Sequence, residues 1–282
     1  MLLLEFIGFF AVILVLGYLL PAGYFYIQYY VRHNPAHDAL RIQQRQPAQG
    51  QIRREVLLSL SSISIFAVMS TILFELYKAG HTSIYPHITD YPLWYLPISF
   101  VLCIVIHDTY FYWTHRFMHW RPVFKYFHLS HHQSIAPTPW AVYAFDPLEA
   151  VTQFIGIMLL VIYVPMRPLI LLAFLWYDTL VNTSGHTGYE VVPPVVSRNW
   201  FFKYFNTVTH HDAHHTNVRV NYGAFFNLWD RWMGTFHDGV TPAACTEAAA
   251  GKSMQRERNL QQPMSDATHS DAPRLPETQT AR

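Results

Sequence analysis

Charged side chains are scarce in this chain. Only 13% of its 282 residues are Asp, Glu, Lys or Arg, against roughly 25% in a typical soluble domain. That shortage argues against a fully solvated surface and points to lipid contact. An excess of cation is also missing. The net charge is +1, so little is left over to neutralise phosphates, and a nucleic-acid partner is excluded. Cysteine is nearly absent. Cys103 and Cys245 are too few for an iron–sulfur cluster, which takes about four thiolates. They form neither a C-x-x-C motif nor a disulfide framework. There is no Gly-rich phosphate loop, dinucleotide fingerprint or haem motif, and no internal repeat or coiled coil.

Long apolar runs are present instead. Residues 1–31 carry one charge, Glu5, and exceed the roughly 20 residues that cross a bilayer. A cationic leader and a small-residue cleavage site are both missing, which favours a span over a removable signal peptide. A second run, 56–76, tolerates its serines because a hydroxyl can return to a helix carbonyl. A third begins at Leu93 and is uncharged to Ile106. Fourteen residues are short for a span, so the helix is expected to continue through His107 and Asp108 to the aromatics at 110–113, which suit a membrane interface. Runs at 151–164 and 169–181 flank Pro165 and Pro168 and read as a hairpin that either spans or re-enters. From Thr241 onward the composition is polar and predicts disorder.

The organisation expected is therefore a transmembrane region over 1–92, a catalytic domain over 93–240 and a disordered tail over 241–282. The fold class is all-α: a polytopic membrane helical bundle under a cytoplasmic, histidine-rich helical cap. Sidedness follows from the basic residues. Arg32, Arg41, Arg45, Arg53 and Arg54 follow the first span, whereas Lys78 alone follows the second. Arg116, Arg121 and Lys125 follow the third, and Arg198, Lys203 and Arg219 follow the hairpin. This pattern predicts an external N-terminus and cytoplasmic histidines: an inner membrane if the cell is bacterial, the endoplasmic reticulum if it is eukaryotic.

Histidine is the residue in excess, with 17 copies. Three clusters stand out. His115 and His119 are four apart; His128, His131 and His132 form H-x-x-H-H; His211, His214 and His215 repeat it. On a helix these spacings predict a shared face, and the two H-x-x-H-H clusters read as equivalent halves of a paired site. His186 stands alone after the hairpin. Neutral imidazole ligates zinc, iron, copper and nickel. One metal takes about four to six ligands, so eight clustered rings, or nine with His186, suit two ions. Packing alone does not explain them, because each buried ring must satisfy a donor and an acceptor. His33, His37, His81, His87, His237 and His269 read as ordinary surface or packing histidines. His107 and His210 are open, the latter offering a different register with His214.

Asp108, Asp146, Asp178 and Asp212 lie near the clusters, but not at ligand spacing with each other. The Glu-x-x-His pairs of soluble di-iron bundles are absent. A nitrogen-only shell also fits zinc, which leaves a membrane zinc-dependent lipid hydrolase as the alternative. A metal transporter or sensor would need charged residues inside the spans, which hold almost none. Asp108 and Asp212 are candidates to accept from ligand N–H groups and so orient the rings. Trp140, Tyr143, Phe145 and Phe225 are candidates to line an apolar channel, with core packing the alternative for each. Trp229-Asp230-Arg231 reads as packing near the third cluster.

The stretch 108–132 with its Tyr-Trp-Thr-His-Arg core, then 211–215, Asn221-Tyr222-Gly223, Trp229-Asp230-Arg231 and Gly234-Thr235, closely resembles the sterol desaturase / fatty acid hydroxylase superfamily over about 93–239. Pro137-Thr138-Pro139 and Ala144-Phe145-Asp146-Pro147 are most similar to its sterol C-5 desaturase branch. Two positions depart from that branch: Thr187 where His-Asp-Gly is usual, and Asp146 where a histidine is usual. The resemblance implies a membrane di-iron oxidoreductase whose ligands are His115, His119, His128, His131, His132, His186, His211, His214 and His215. It implies two iron ions, with zinc able to substitute, and dioxygen as co-substrate. NAD(P)H electrons would arrive through a separate cytochrome b5- or ferredoxin-like carrier. The implied substrate is a lipid, sterol-like or fatty acyl. Hydroxylation and desaturation share a first C–H cleavage, so the ligand set does not separate them.

Overall fold

Uncharged runs become helices here because a chain in lipid must satisfy its backbone groups within the segment. A computed structural model describes residues 1–239 except 33, 194, 195, 197 and 198; the expected tail over 241–282 lies outside the described residues. Helix α1 runs Leu2–Val31, α2 runs Gln51–Lys78 and α3 runs Tyr95–Met118, and all three are long and apolar enough to cross a membrane. Two π-helical stretches, Ile13–Leu19 and Ile27–Val31, interrupt the α-geometry of α1. The third helix continues past Ile106 as expected, and carries His115 on its last turn.

Each helix buries one stripe. In α2 the buried positions include Gln51, Glu55, Ser59, Ser62, Ile63, Phe66 and Ala67, a recurrence of three and four that marks one helical face. Serine and alanine along that stripe allow close approach of neighbouring helices. Leu57, Val68 and Ile72 point outward. In α3 the stripe is Ser99, Cys103, His107, Asp108, Tyr112 and His115, so a single face leads from an apolar base to the first histidine cluster. Val101, Leu102, Val105 and Ile106 of α3 are exposed and form a lipid-facing side.

Two short helices follow, α4 (Arg121–Phe127) and α5 (Leu129–His132). The hairpin is α6 (Pro147–Tyr163) and α7 (Pro168–Gly185), each opened by a proline at its first position, where the missing N–H costs nothing. At 17 residues, α6 is about 25 Å long, less than the roughly 30 Å of a bilayer core. Helices α8 (Val208–Thr216) and α9 (Leu228–Met233) follow. Among the described residues there is no β-strand; isolated bridges such as Arg41–Tyr189 tie loops together.

Helix α1 packs on α2, α2 on α6, α6 on α3, and α3 on α7, which also meets α1. Gly156 permits the α3–α6 approach, since a Cβ there would lie 2.7 Å from the Tyr110 ring. At one end of the bundle, the Ser83 amide donates to Val161 O and the Met166 amide to Ser83 O, joining the loop after α2 to the hairpin turn. The opposite end gathers the start of α2, the end of α3, the start of α6 and the end of α7. The Arg-rich loop after α1 lies there too: Gln43 donates to Pro137 O and Arg54 to Ser134 Oγ. All three histidine clusters sit at that end.

Candidate metal centre

Nine imidazoles converge at the end of the bundle, and they divide into two groups. His115, His119, His128, His132 and His214 form one; His131, His186, His211 and His215 form the other. Within each group the ligand atoms all lie within 4.8 Å of one another. The division cuts across the sequence clusters. A helix turns about 100° per residue, so positions i and i+4 point together while i+3 and i+4 diverge by about 100°. Hence His128 and His132 join the five-histidine group and His131 turns to the other. In α8 the pairing is reversed: His211 and His215 join the four-histidine group and His214 crosses over. The expectation that each H-x-x-H-H cluster shares one face and makes one half of the site is corrected by this geometry.

The nitrogen separations match those of a shared cation. His115 Nε2 is 2.9 Å from His128 Nε2 and 3.2 Å from His119 Nε2. In the second group His186 Nε2 is 3.1 Å from His211 Nε2 and 3.4 Å from His131 Nε2, and His211 Nε2 is 3.1 Å from His215 Nε2. Ligands at about 2.1 Å from a metal stand about 3.0 Å apart in an octahedron and about 3.4 Å apart in a tetrahedron.

Tautomers follow from the other ring nitrogen. His115 Nδ1 donates to Tyr222 O at 2.8 Å, His214 Nδ1 to Val220 O at 2.6 Å and His186 Nδ1 to Asn182 O at 2.7 Å. A carbonyl only accepts, so each Nδ1 holds the proton and each Nε2 presents a lone pair. His214 Nε2 and both nitrogens of His132 are buried without a hydrogen-bond partner. Converging, unpaired lone pairs are costly unless a cation joins them, so these residues fit metal ions.

Electrostatics point the same way. Burial, with lesser contributions from neighbouring rings, holds His128, His131, His132, His211, His214 and His215 well below the ordinary 6.5, and burial alone lowers His186 to about 4. The rings are therefore neutral and ready to ligate near pH 7. Because the folded values are depressed, the unfolded chain takes up protons first on acidification. The stability that these rings contribute is complete above about 6.5 and is lost progressively as pH falls, for His186 as it falls through about 4. Acidifying the purified protein to about pH 5 is expected to release metal and lower the thermal midpoint, read by elemental analysis and a melting curve. Unchanged metal content down to about pH 4 would contradict this.

The acids behave differently from expectation. Asp108 does not accept from a ligand ring. Its Oδ1 accepts from the amides of Phe225, at 2.7 Å, and Phe226, because α3 aims it at the 221–227 loop. Asp212 accepts from no ring nitrogen; one of its oxygens is buried without a partner, and burial raises it to about 6. Three of the nine rings are oriented by backbone carbonyls, those of Val220 and Tyr222 after α8 and of Asn182 in α7. The carboxylate nearest a ligand is one that the sequence reading passed over: Glu149 Oε1 lies 2.7 Å from His128 Nδ1. A lone acid in the first turn of an apolar helix was its available signal.

Asp230 holds the loop from its other side, accepting from the Tyr222 and Gly223 amides at 2.9 Å each and from Thr235 Oγ1 at 2.7 Å. Trp229 stacks on Tyr112, so this segment is structural packing as read. His210 caps α8, taking the Thr207 amide on Nδ1, and stays outside both groups; the register runs through His211. His107 lies 3.5 Å from Asp178 and is likewise apart from them. So are His37, His81, His87 and His237, while His33 and His269 lie outside the described residues.

A small, partly open cavity of about 60 Å³ reaches the four-histidine group at His211. Phe111, Val181, Val191, Val192, Val208 and Ala224 give it apolar walls. Trp140, Tyr143, Phe145 and Phe225 are not among its lining residues. They pack instead: Trp140 on Tyr18, Tyr143 on Phe66, Phe145 against His131, and Phe225 against Tyr177.

Residues 100–235 match the fatty acid hydroxylase family. Over 190 residues the chain is 33% identical to a Delta(7)-sterol 5(6)-desaturase of Gibberella zeae, covering 67% of this chain and 52% of that protein. It is 28% identical to human lathosterol oxidase, with 67% and 62% covered. It is 35% identical to methylsterol monooxygenase 1 of Rattus norvegicus over 149 residues, 51% of this chain and 48% of that one. The chain thus spans roughly half to three fifths of the length of these relatives. No solved structure matches it. With its apolar helices and histidine groups, the chain is an integral membrane protein that belongs to the sterol desaturase / fatty acid hydroxylase superfamily.

Proposed function

We propose that the chain is a dioxygen-dependent oxidoreductase that hydroxylates or desaturates a membrane lipid. The observation that carries this reading is the pair of converging imidazole sets, five rings and four, at one end of a membrane bundle. All nine histidines named from sequence serve as ligands for two ions in this proposal, iron in the native protein. Such an iron pair supplies dioxygen activation and cleavage of an unactivated C–H bond, which side chains alone do not supply. The protein's own part is positional. Tyr222, Val220 and Asn182 carbonyls hold three rings in one tautomer. Val181, Val191, Val192 and Val208 present apolar surface to an alkyl substrate beside His211.

The substrate is a sterol-like lipid or a fatty acyl chain, the former supported by relatives named for sterol desaturation and sterol oxidation. Residues 93–240 form the catalytic unit and 1–92 complete its membrane region, with Tyr30 of α1 donating to Thr187 O beside His186. The histidines face the cytoplasm, as the arginine-rich loop at the same end supports. Electrons come from a separate cytochrome b5- or ferredoxin-like protein. The test is mass spectrometry of membrane lipids with and without the gene. A lipid that has gained one oxygen or lost two hydrogens only when the gene is present, and only in air, is the expected result. The same product under strict anaerobiosis would overturn it.

A further inference from the structure

We infer that Glu149 is a positioning residue for the five-histidine group, fixing the ring orientation and tautomer of His128. This rests on the metal-centre reading above and adds a residue to it. Glu149 and His128 are 1% and 2% exposed, and Oε1 lies 2.7 Å from Nδ1. Neither Glu149 oxygen has a hydrogen-bond partner, and neither does His128 Nδ1. The two atoms are in contact but off the ring's N–H axis, so two buried, unsatisfied groups lie side by side. A buried carboxylate without a partner is costly to retain, and among the described residues the ring nitrogen in contact with it belongs to a member of the metal-binding set.

The remaining geometry says what the contact does. His128 Nε2 faces His115 Nε2 at 2.9 Å, and the proton of His115 is committed to Tyr222 O through Nδ1. For both Nε2 atoms to ligate one ion, His128 must carry its own proton on Nδ1. Glu149 is the acceptor placed there. His115, His186 and His214 have backbone carbonyls for this purpose; His128 has a side chain. Helix α6 is well placed to supply it. Asp146, one turn earlier, accepts from the Ser130 amide at 2.9 Å, so the first turn of α6 grips the second histidine cluster at two points.

The experiment uses the full chain in lipid nanodiscs, stripped by chelator and titrated with cobalt(II), whose visible absorption reports coordination. The wild type should take up two ions. Glu149→Leu, which fills the space but removes the acceptor, should bind one ion about 10- to 100-fold more weakly with an altered spectrum, and the other normally. Glu149→Gln keeps a carbonyl oxygen in place and should restore both affinities. Equal weakening in Leu and Gln, equal weakening of both ions, or wild-type binding by Leu would each overturn the assignment. If Glu149→Leu does not fold, Glu149→Gln decides alone: wild-type affinity at both sites supports the acceptor role and weakening overturns it. A wild-type chain that binds no cobalt would overturn the metal reading itself, and this inference with it.

Discussion

Replacing His132 by alanine should empty the five-histidine group, and replacing its neighbour His131 should empty the four-histidine group. Adjacent residues of one short helix would then silence different ions. The reason is their divergence by about 100° around α5, which sends the His132 ring toward His119 and His214 and the His131 ring toward His186 and His215. Elemental analysis of each purified variant should show about one ion lost of two. Turnover should fall by more than about 100-fold in both, since even the loss of a group that merely orients a ligand costs 10- to 100-fold. The cobalt spectra of the two variants should differ, because the ion left behind sits among different ligands. Full activity in His131→Ala would sink the ligand assignment. Identical residual spectra would show that the two groups are not separate sites.

Replacing Asp230 by alanine should cause a large loss of stability and, through it, a loss of metal. The side chain is completely buried and accepts three hydrogen bonds, from the amides of Tyr222 and Gly223 and from the Thr235 hydroxyl. Alanine leaves all three donors without that acceptor in a dry site. Each orphaned group costs about 1–3 kcal/mol, so a total of about 3 kcal/mol or more is expected, a melting shift on the order of 10 °C. The Tyr222 carbonyl belongs to the same loop and holds His115 Nδ1. Loosening it should weaken the five-histidine group first. Asp230→Asn retains one acceptor oxygen and should fall between wild type and alanine. Melting curves in detergent with parallel metal analysis test this; a normal melting point in the alanine variant would show that the loop does not depend on Asp230.

Much of this protein was legible in its sequence because the signals are local. Uncharged runs longer than a bilayer is thick announce helices, since lipid leaves the backbone no other partner, and α1, α2 and α3 lie where those runs are. The continuation of α3 past Ile106 followed from length alone. Histidines at spacings of three and four mark helical ligand sets, and their number implied two ions.

What the sequence did not contain is how those histidines are shared. Spacing says that residues are near one another on a helix, but the destination of each ring depends on which neighbouring helix it faces. Only the packed bundle separates His131 from His132 and joins His214 to His115. The orienting acceptors were hidden for a different reason. Most are backbone carbonyls, which every residue carries, so no side chain advertises them. The sequence offers Asp108 for that role, but it holds two loop amides instead, while Glu149, marked in sequence only as a lone acid, reaches His128 because the start of α6 meets the second histidine cluster. The sequence by itself determined a membrane helical bundle and a histidine-built metal centre. Tertiary structure alone decided the five-and-four division and the groups that aim each ring, because both depend on contacts between helices far apart in the chain.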